Sequence, residues 1–575
     1  MRLSVTKSKY SQNLYVIKST FENGKHSTRI VEKLGTYDEI KKRLNGGDPV
    51  EWARKYIEEL NSQKVSEPQD VLLKYSPAKV LSKDDKRCFN GGYLFLQSVY
   101  SALGLPKVCS SLAGKHSFEF DLNSVFSRLI YARILFPCSK LATWRVSQTF
   151  VEEPRFMLHH VYRALEVLAS ESDFIQASLY AHSRKLVKRH TGVIYYDCTN
   201  YFFEIEREDG DKRYGFSKEH RPNPVVQMGL FMDSDGIPLA FCINPGNTNE
   251  QTTLQPIEKR IASDFKLSKF VVCTDAGLAS AANRRFNDKP DRGFITTQSV
   301  KKTRKYIKEW MLAKDGWRVC GDSKLYDIDA IGSDDTLSER FRDKVFYKER
   351  WIKEDGLEER LIVTWSSKYR DYQRAIRTRQ IERAVNTMDH APGKLDKCGQ
   401  NDYKRFIRKE HSTMAGEKAS VQKLSLNEDV IHEEERYDGY YAAATNLEDD
   451  ASVITGIVHR RWEIEECFRI MKSEFKARPV YLSRDDRIQA HFLVCFVALV
   501  VYRILEKKLK DKYTCGEIIT GLKEMNFLKI KGEGYIPTYT RTDLTDALHE
   551  TFKFHTDYQI VTLKKMKEIL RQTQA

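Results

Sequence analysis

Val193-Ile194-Tyr195-Tyr196-Asp197 and Lys269-Phe270-Val271-Val272-Cys273-Thr274-Asp275 are apolar runs that each end in an acid, and how they lie together decides the fold. Their length and their β-branched and aromatic content predict buried strands. Between them, Val225 to Asp233 and Ile237 to Asn244 predict two more strands, joined through the turn sequence Ser234-Asp235-Gly236. Leu254, Ile257, Ile261 and Phe265 then mark one face of a helix, and a second helix is expected from about Leu278 to Phe286. In the order strand, strand, strand, helix, strand, helix, the crossover helix should return the fourth strand parallel to one already in the sheet. If it returns beside the first, Asp197 and Asp275 become neighbours.

That order resembles the ribonuclease-H-like (retroviral-integrase-like) fold, so an α/β catalytic core is expected over 189–289 and again over 446–510. Between the two parts, residues 290–445 are expected to form an inserted, mixed β-rich domain. Its strands are expected at Lys344 to Tyr347, Arg360 to Trp365 and Tyr440 to Thr445, with a polar stretch from Asn386 to Asp429. Upstream, Leu14-Tyr15-Val16-Ile17 and Thr28-Arg29-Ile30-Val31 flank Asn23-Gly24 as a hairpin, and a short helix near Pro49 to Leu60 completes a segment 1–62. A Pro-punctuated polar run, 63–90, reads as a linker. Val125, Leu129, Ile130, Ile134 and Leu135 recur at helix spacing after a cap at Asp121, within a helical region 91–188. Residues 511–575 are expected to be helical except around Gly532-Glu533-Gly534.

Composition narrows the class. The chain has 575 residues, 41% hydrophobic and 30% charged, which describes a folded multidomain protein and not a disordered one. Lys and Arg number 95 against 80 Asp and Glu, a net charge of +15 that favours a polyanion as partner. Eleven cysteines occur singly with no C-x-x-C pair, so neither zinc nor disulfides are expected. The first ten residues lack an apolar signal core, and the longest apolar run, Phe492 to Tyr502, is too short to span a bilayer before it meets Arg503. A cytoplasmic protein with a buried helix there, and no membrane partner, is expected. No G-x-x-x-x-G-K-[ST] phosphate loop is present, which argues against ATP-driven chemistry.

A third acid stands in His459-Arg460-Arg461-Trp462-Glu463-Ile464-Glu465-Glu466-Cys467-Phe468-Arg469-Ile470-Met471-Lys472, which has no Gly or Pro and predicts a helix. At about 100° per residue, Arg461, Glu465 and Lys472 fall within roughly 40° of one another, beside an apolar stripe of Ile464, Cys467, Phe468, Met471 and Phe475. Three carboxylates suit phosphodiester chemistry. Two Mg²⁺ ions per site, with Mn²⁺ as substitute, would take hard oxygen ligands from Asp197, Asp275 and Glu465, Asp197 bridging both. Arg461 and Lys472 would then anchor phosphate, Arg as a planar fork and Lys as a point charge. Ordinary alternatives exist for each acid: Glu465 is four residues from both Arg461 and Arg469, and the two aspartates could simply end strands.

The string Arg461-Trp462-x-Ile464-Glu465-x-x-Phe468-x-x-x-Lys472 resembles the tyrosine, arginine, glutamate, lysine signature of the insertion-sequence-four superfamily of bacterial DDE transposases, in the branch with a long insertion before the glutamate. Tyr196-Asp197-Cys198-Thr199-Asn200, Pro245-Gly246-Asn247-Thr248, Thr274-Asp275-Ala276-Gly277 and Ala477-Arg478-Pro479-Val480-Tyr481 extend the likeness. The signature tyrosine, three residues before the arginine, is Val458 here, and His459 stands next to it. The resemblance implies hydrolysis at each transposon end to free a 3′-hydroxyl, then attack of that hydroxyl on target DNA by a homodimer in a paired-end complex. Double-stranded DNA, as terminal inverted repeats and as target, is the implied partner.

DNA contacts are expected from His459, Arg461, Trp462 and Lys472, and from Arg370, Arg374 and Arg377, which recur on one helical face with Tyr369 and Tyr372 interleaved. The helical region 91–188 is the candidate reader of terminal repeats. Two rival functions fit the same residues: a nuclease of this fold that never joins ends, and a DNA-binding derivative without catalysis.

Overall fold

A computed structural model describes residues 1–8, 11–22, 25–64, 71, 73, 76–333, 339–354, 356–390, 402–412 and 421–575, in two compact units, Met1–Asp85 and Lys86–Ala575.

In the first unit, β1 (Arg2–Lys7), β2 (Gln12–Glu22) and β3 (Lys25–Thr36) form an antiparallel sheet in that order. The expected hairpin is β2 with β3; its turn, Asn23-Gly24, lies outside the described residues. Two helices follow, Tyr37–Arg43 and Pro49–Lys64, and bury Ile40 and Ala53 against Leu14. The first of these is absent from the sequence reading, although its capping box is written there. The Thr36 N–H donates to Glu39 Oε2 at 2.9 Å and the Glu39 N–H to Thr36 Oγ1 at 3.3 Å.

The second unit begins with a correction to the expected 63–90 linker, part of which lies outside the described residues. Cys88–Asn90 is a strand, β4, paired antiparallel with a C-terminal strand. Helices Tyr93–Ala102, Leu105–Lys115, Leu122–Leu135, Lys140–Ser147, Leu158–Ser170 and Ser172–Leu186 fill the expected helical region, and Asp121 caps Leu122–Leu135 by accepting from the Ser124 N–H at 2.9 Å.

The strands that matter for function are β5 (Val193–Phe202), β6 (Val225–Asp233), β7 (Pro238–Pro245), β8 (Phe270–Thr274) and β9 (Arg292–Gln298). β5 pairs antiparallel with β6 and β6 with β7, while β8 lies parallel to both β5 and β9. The crossover helix Glu250–Asp264 thus brings the fourth strand back beside the first, as the order of elements requires. β6 and β9 are buried along most of their length and β5 carries apolar residues on both faces, as parallel or central strands covered by helices must be.

The sheet does not stop at β9. It continues through β10 (Arg318–Val319), β11 (Phe346–Glu354), β12 (Leu357–Trp365) and, after the small hairpin β13 (Ile407–Ser412) with β14 (Val421–Leu426), through β15 (Tyr440–Thr445). The full order is β10-β11-β12-β15-β9-β8-β5-β6-β7. Expected strands at 344–347, 360–365 and 440–445 are therefore present, but in the same sheet as the two aspartates. The boundary at residue 290 is corrected too, because β9 lies beyond it and belongs to that sheet. The polar stretch 386–429 lies partly outside the described residues, at 391–401 and 413–420.

Helix Asp485–Lys508 is long and apolar enough to cross a membrane, yet it is buried almost throughout and packs on Leu158–Ser170 and Leu122–Leu135 as the central helix of this unit. Beyond it, the helical expectation is corrected. β16 (Asn526–Ile530), β17 (Gly534–Pro537) and β18 (Val561–Thr562) join β4 in a sheet of order β18-β17-β16-β4, with helices Cys515–Glu524, Asp543–Phe552 and Leu563–Gln574 around it. The ten described cysteines are free thiols.

Candidate active site

Parallel pairing sets the two aspartates level with each other. Tyr195 on β5 stands opposite Cys273 on β8, and Asp197 and Asp275 each lie two residues further along. Both side chains are half-buried. Each carboxylate is oriented by a backbone donor: the Cys198 N–H gives to Asp197 Oδ1 at 2.8 Å, and the Leu278 N–H to Asp275 Oδ1 at 3.1 Å. Burial pushes the Asp197 carboxyl up to about 6; Lys218 pulls it down, and the Asp275 charge raises it again. Two adjacent, half-buried carboxylates offer hard oxygen donors to a cation.

Arg461 supplies positive charge beside them. It sits half-buried at the start of helix Trp462–Arg469, and burial, which opposes its charge, is outweighed by Cys273, Asp197, Asp275 and Tyr441. Its Nε is buried without a hydrogen-bond partner among the described residues. A donor left idle beside two carboxylates is poised to meet an incoming acceptor.

Glu465 lies one turn beyond Arg461 and is exposed. Among the described residues, no set of ligand atoms from Asp197, Asp275 and Glu465 falls within 4.8 Å of one another. The structure thus brings the two aspartates and Arg461 together and leaves Glu465 at the mouth. The ordinary ion pair with Arg469 does not form either: Arg469 gives Nε and Nη2 to Glu466, at 2.7 and 2.6 Å.

Arg461, Glu465 and Lys472 stand on one helical stretch that changes pitch before the last of them. From Ile470 to Glu474 it widens into a π-turn, so a count at 100° per residue fails before Lys472. Lys472 reaches β5, where its Nζ donates to Thr199 Oγ1 at 2.6 Å. Thr199 is two residues after Asp197 and so faces the same side of the sheet. Burial, then Lys218, brings the Lys472 amine down to about 8, with Asp197 opposing. Lys472 also lies 3.9 Å from Glu219, which contacts Arg478.

Glu465 opens on a cleft of about 560 Å³ whose walls include Val458, His459, Arg461, Trp462, Lys368, Tyr369, Tyr372 and Tyr441. His459 and Trp462 are exposed there and Val458 is buried. Tyr441 of β15 places a phenol beside Arg461. The Tyr369 and Tyr372 rings are stacked at 6.4 Å on helix Ser367–His390.

That helix divides the expected arginine face. Arg377 is buried and gives both Nη groups to Asp438, so it is removed from the set of surface contacts. Arg370 is turned to Asp371, with Nε to Oδ1 at 3.0 Å, and lies over Trp365. Arg374 stays largely exposed, 3.5 Å from Asp438.

Four contributors escape a reading of the sequence: Thr199, Lys218, Glu219 and Tyr441. Thr199 carries the one usable signal, its i+2 relation to Asp197 on a strand. Lys218 and Glu219 come from the irregular segment between β5 and β6, where no periodicity places a side chain. The Lys218 Nζ donates to the Cys198 carbonyl, next to Asp197.

The family model of the transposase DDE domain matches residues 200–501. No curated protein matches the chain. Among solved structures, the chain is similar to a piggyBac transposase determined by cryo-electron microscopy in a synaptic complex with hairpin DNA. The two are 8% identical over 84% of this chain and 85% of that one, with a TM-score of 0.36, a likeness too slight to bear on any residue here.

Proposed function

The chain belongs to the transposase DDE domain family, and on that premise we propose that it cuts DNA at the ends of an insertion sequence and joins the freed 3′ ends to target DNA. The observation that carries the proposal is the level placement of Asp197 and Asp275 across two parallel strands, with Arg461 beside them. The Arg461, Glu465 and Lys472 spacing supports the bacterial insertion-sequence-four branch.

The donor chemistry fits divalent cations. Asp197 and Asp275 offer hard oxygens, and burial, with the Asp275 charge adding to it, raises the Asp197 carboxyl against the pull of Lys218 and Arg461. Asp197, Asp275 and Glu465 would hold two Mg²⁺ ions, which when bound lower the pKa of the attacking hydroxyl and neutralise charge on the phosphate. Arg461 and Lys472 take the scissile phosphate from two sides, a fork and a point charge. In cleavage, water attacks phosphorus and the 3′ oxygen leaves with a proton. In joining, that 3′-hydroxyl attacks a target phosphodiester and displaces another 3′ oxygen. Tyr369, Tyr372 and Trp462 give the cleft beside Glu465 the aromatic surfaces that unpaired bases stack on. A homodimer in a paired-end complex, with the helices of 91–188 reading the terminal repeats, follows from two ends being cut together.

The direct test is purified protein, Mg²⁺ and DNA carrying the ends of its own element. Nicking at the ends and joining to supercoiled plasmid are expected; nicking without joining would reduce the protein to a nuclease, and binding without nicking to a DNA-binding derivative. Inverted repeats at both edges of the gene's surrounding DNA are expected as well.

Proton competition gives a prediction specific to this pair. A ligand carboxylate must be ionised, and Asp197 ionises at about 6. Mn²⁺ affinity, followed by electron paramagnetic resonance, should be constant above pH 7 and fall by up to about tenfold per unit below pH 6. Affinity unchanged down to pH 5 would remove Asp197 from the ligand set.

The divided arginine helix gives another. Arg374→Glu should reduce the slope of log affinity for DNA against log salt by about 1, with folding intact. Arg377→Ala should leave that slope alone and cost about 3 kcal/mol of stability, because Asp438 stays buried without its two-pronged partner. Equal slopes in Arg374→Glu and the parent protein would exclude this helix from the DNA contact.

A further inference from the structure

Behind the candidate active site lies a second cavity, about 290 Å³, whose lining includes Arg133, Ser139, Lys140, Lys476, Arg478 and His491. No carboxylate lines it among the described residues. Arg133, Lys140 and His491 are each only 5% exposed, so two cationic side chains, and an imidazole whose pKa burial pushes well down, are inside the wall and not waving in solvent. Their hydrogen bonds go to neutral groups. Arg133 gives Nη1 to the carbonyls of Phe475 and Lys476, at 3.1 and 3.3 Å, and Nη2 to the carbonyl of Cys138 at 3.2 Å. Lys140 Nζ meets His491 Nδ1 at 3.3 Å, and His491 Nε2 meets the Ala477 carbonyl at 3.1 Å. Taking cations out of water is costly unless an anion compensates. Of the lining cations Arg478 has a carboxylate against it, Glu219, while Arg133, Lys140 and Lys476 have none among the described residues, so the cavity is built to receive an anion.

Its position says where the anion comes from. Arg478 on the wall contacts Glu219, Glu219 lies 3.9 Å from Lys472, and Lys472 is bonded to Thr199 two residues from Asp197. We propose that the cavity holds one backbone phosphate of the DNA strand that enters the candidate active site, close to the bond to be cut. The DNA source rests on the transposase function proposed above; the phosphate chemistry does not. Burial, then Arg133, brings the Lys140 amine down to about 7, with Cys495 and Cys138 opposing, the condition of an ammonium that lacks its counter-charge. The first turn of helix Lys140–Ser147 also faces the cavity and adds the positive end of a peptide dipole.

Two arms test this. In the first, the full chain without DNA is titrated with inorganic phosphate against chloride at constant ionic strength, and thermal unfolding is followed. The parent protein should be stabilised saturably, and Lys140→Met should weaken apparent phosphate affinity at least about tenfold. Lys476→Glu, at an exposed position on the same wall, should do likewise, and it keeps the test decisive if Lys140→Met does not fold. Identical shifts in all three would overturn the proposal, since general salt exclusion stabilises every variant alike. In the second arm, DNA duplexes carry a neutral methylphosphonate at single positions near the end. One position should weaken binding by the parent protein and not by Lys140→Met. A phosphate site in the first arm with no such position in the second would mean a free anion is the ligand. Failure of the parent protein to cut DNA bears on the function proposed above and leaves the first arm standing.

Discussion

Asp197→Asn should abolish DNA cleavage and, in the metal-free protein, raise stability. The loss of activity, at least about a thousandfold or 4 kcal/mol in the barrier, follows if Asp197 is a carboxylate that would hold the catalytic metal. The gain in stability follows from the raised ionisation of Asp197, about 6 in the folded protein against an ordinary 3.8. Between those values the folded state binds more protons than the unfolded one, so stability falls as pH rises from about 4 to 6 and stays lower above. The shift corresponds to at most about 3 kcal/mol. Asparagine keeps the acceptor for the Cys198 N–H and cannot ionise. Urea unfolding with chelator present should therefore show the variant more stable at pH 8, by about 1 to 3 kcal/mol, and equal to the parent below pH 4. Mg²⁺ should stabilise the parent and not the variant. A variant that is less stable at pH 8, or one that still cuts, would mean that Asp197 is a scaffold residue.

Much of this site is legible in the amino-acid sequence because its parts obey strong local rules. β5 and β8 are continuous apolar runs, and a crossover helix between them constrains their direction. The pairing of Asp197 with Asp275 follows almost mechanically. What escapes is written in residues that break the apolar code. β9, Arg292-Gly293-Phe294-Ile295-Thr296-Thr297-Gln298, reads as polar because two of its buried side chains are threonines, and so the core seems to end too early. β15 is expected as a strand, yet its pairing with a strand as distant in the chain as β9 has no local signal. The π-turn at Ile470–Glu474 is likewise silent in composition. Lys140 and Arg133 fall inside helices whose charged residues a periodicity argument sends to the surface; only the packing around Asp485–Lys508 shows that they are buried.

Glu465→Gln carries the second large effect, and it tests the part of the site that the fold leaves open. Glu465 is exposed, pairs with neither Arg461 nor Arg469, and does not share a 4.8 Å cluster with the aspartates. An exposed carboxylate with no partner contributes little to stability, so the substitution should move unfolding by less than about 0.5 kcal/mol. If Glu465 completes the metal site when DNA fills the cleft, cleavage and joining should both fall at least about a thousandfold while end binding is kept. Mn²⁺ binding without DNA should scarcely change if Asp197 and Asp275 suffice to hold that ion, whereas the tighter binding expected with DNA present should be lost. The contrast with Asp197→Asn, which removes metal affinity in both states, separates a ligand that waits for substrate from one built into the sheet. Activity within about twofold of the parent would leave Glu465 as a solvated helix residue. The third ligand would then lie elsewhere, with Glu219, 3.9 Å from Lys472, an acid to try.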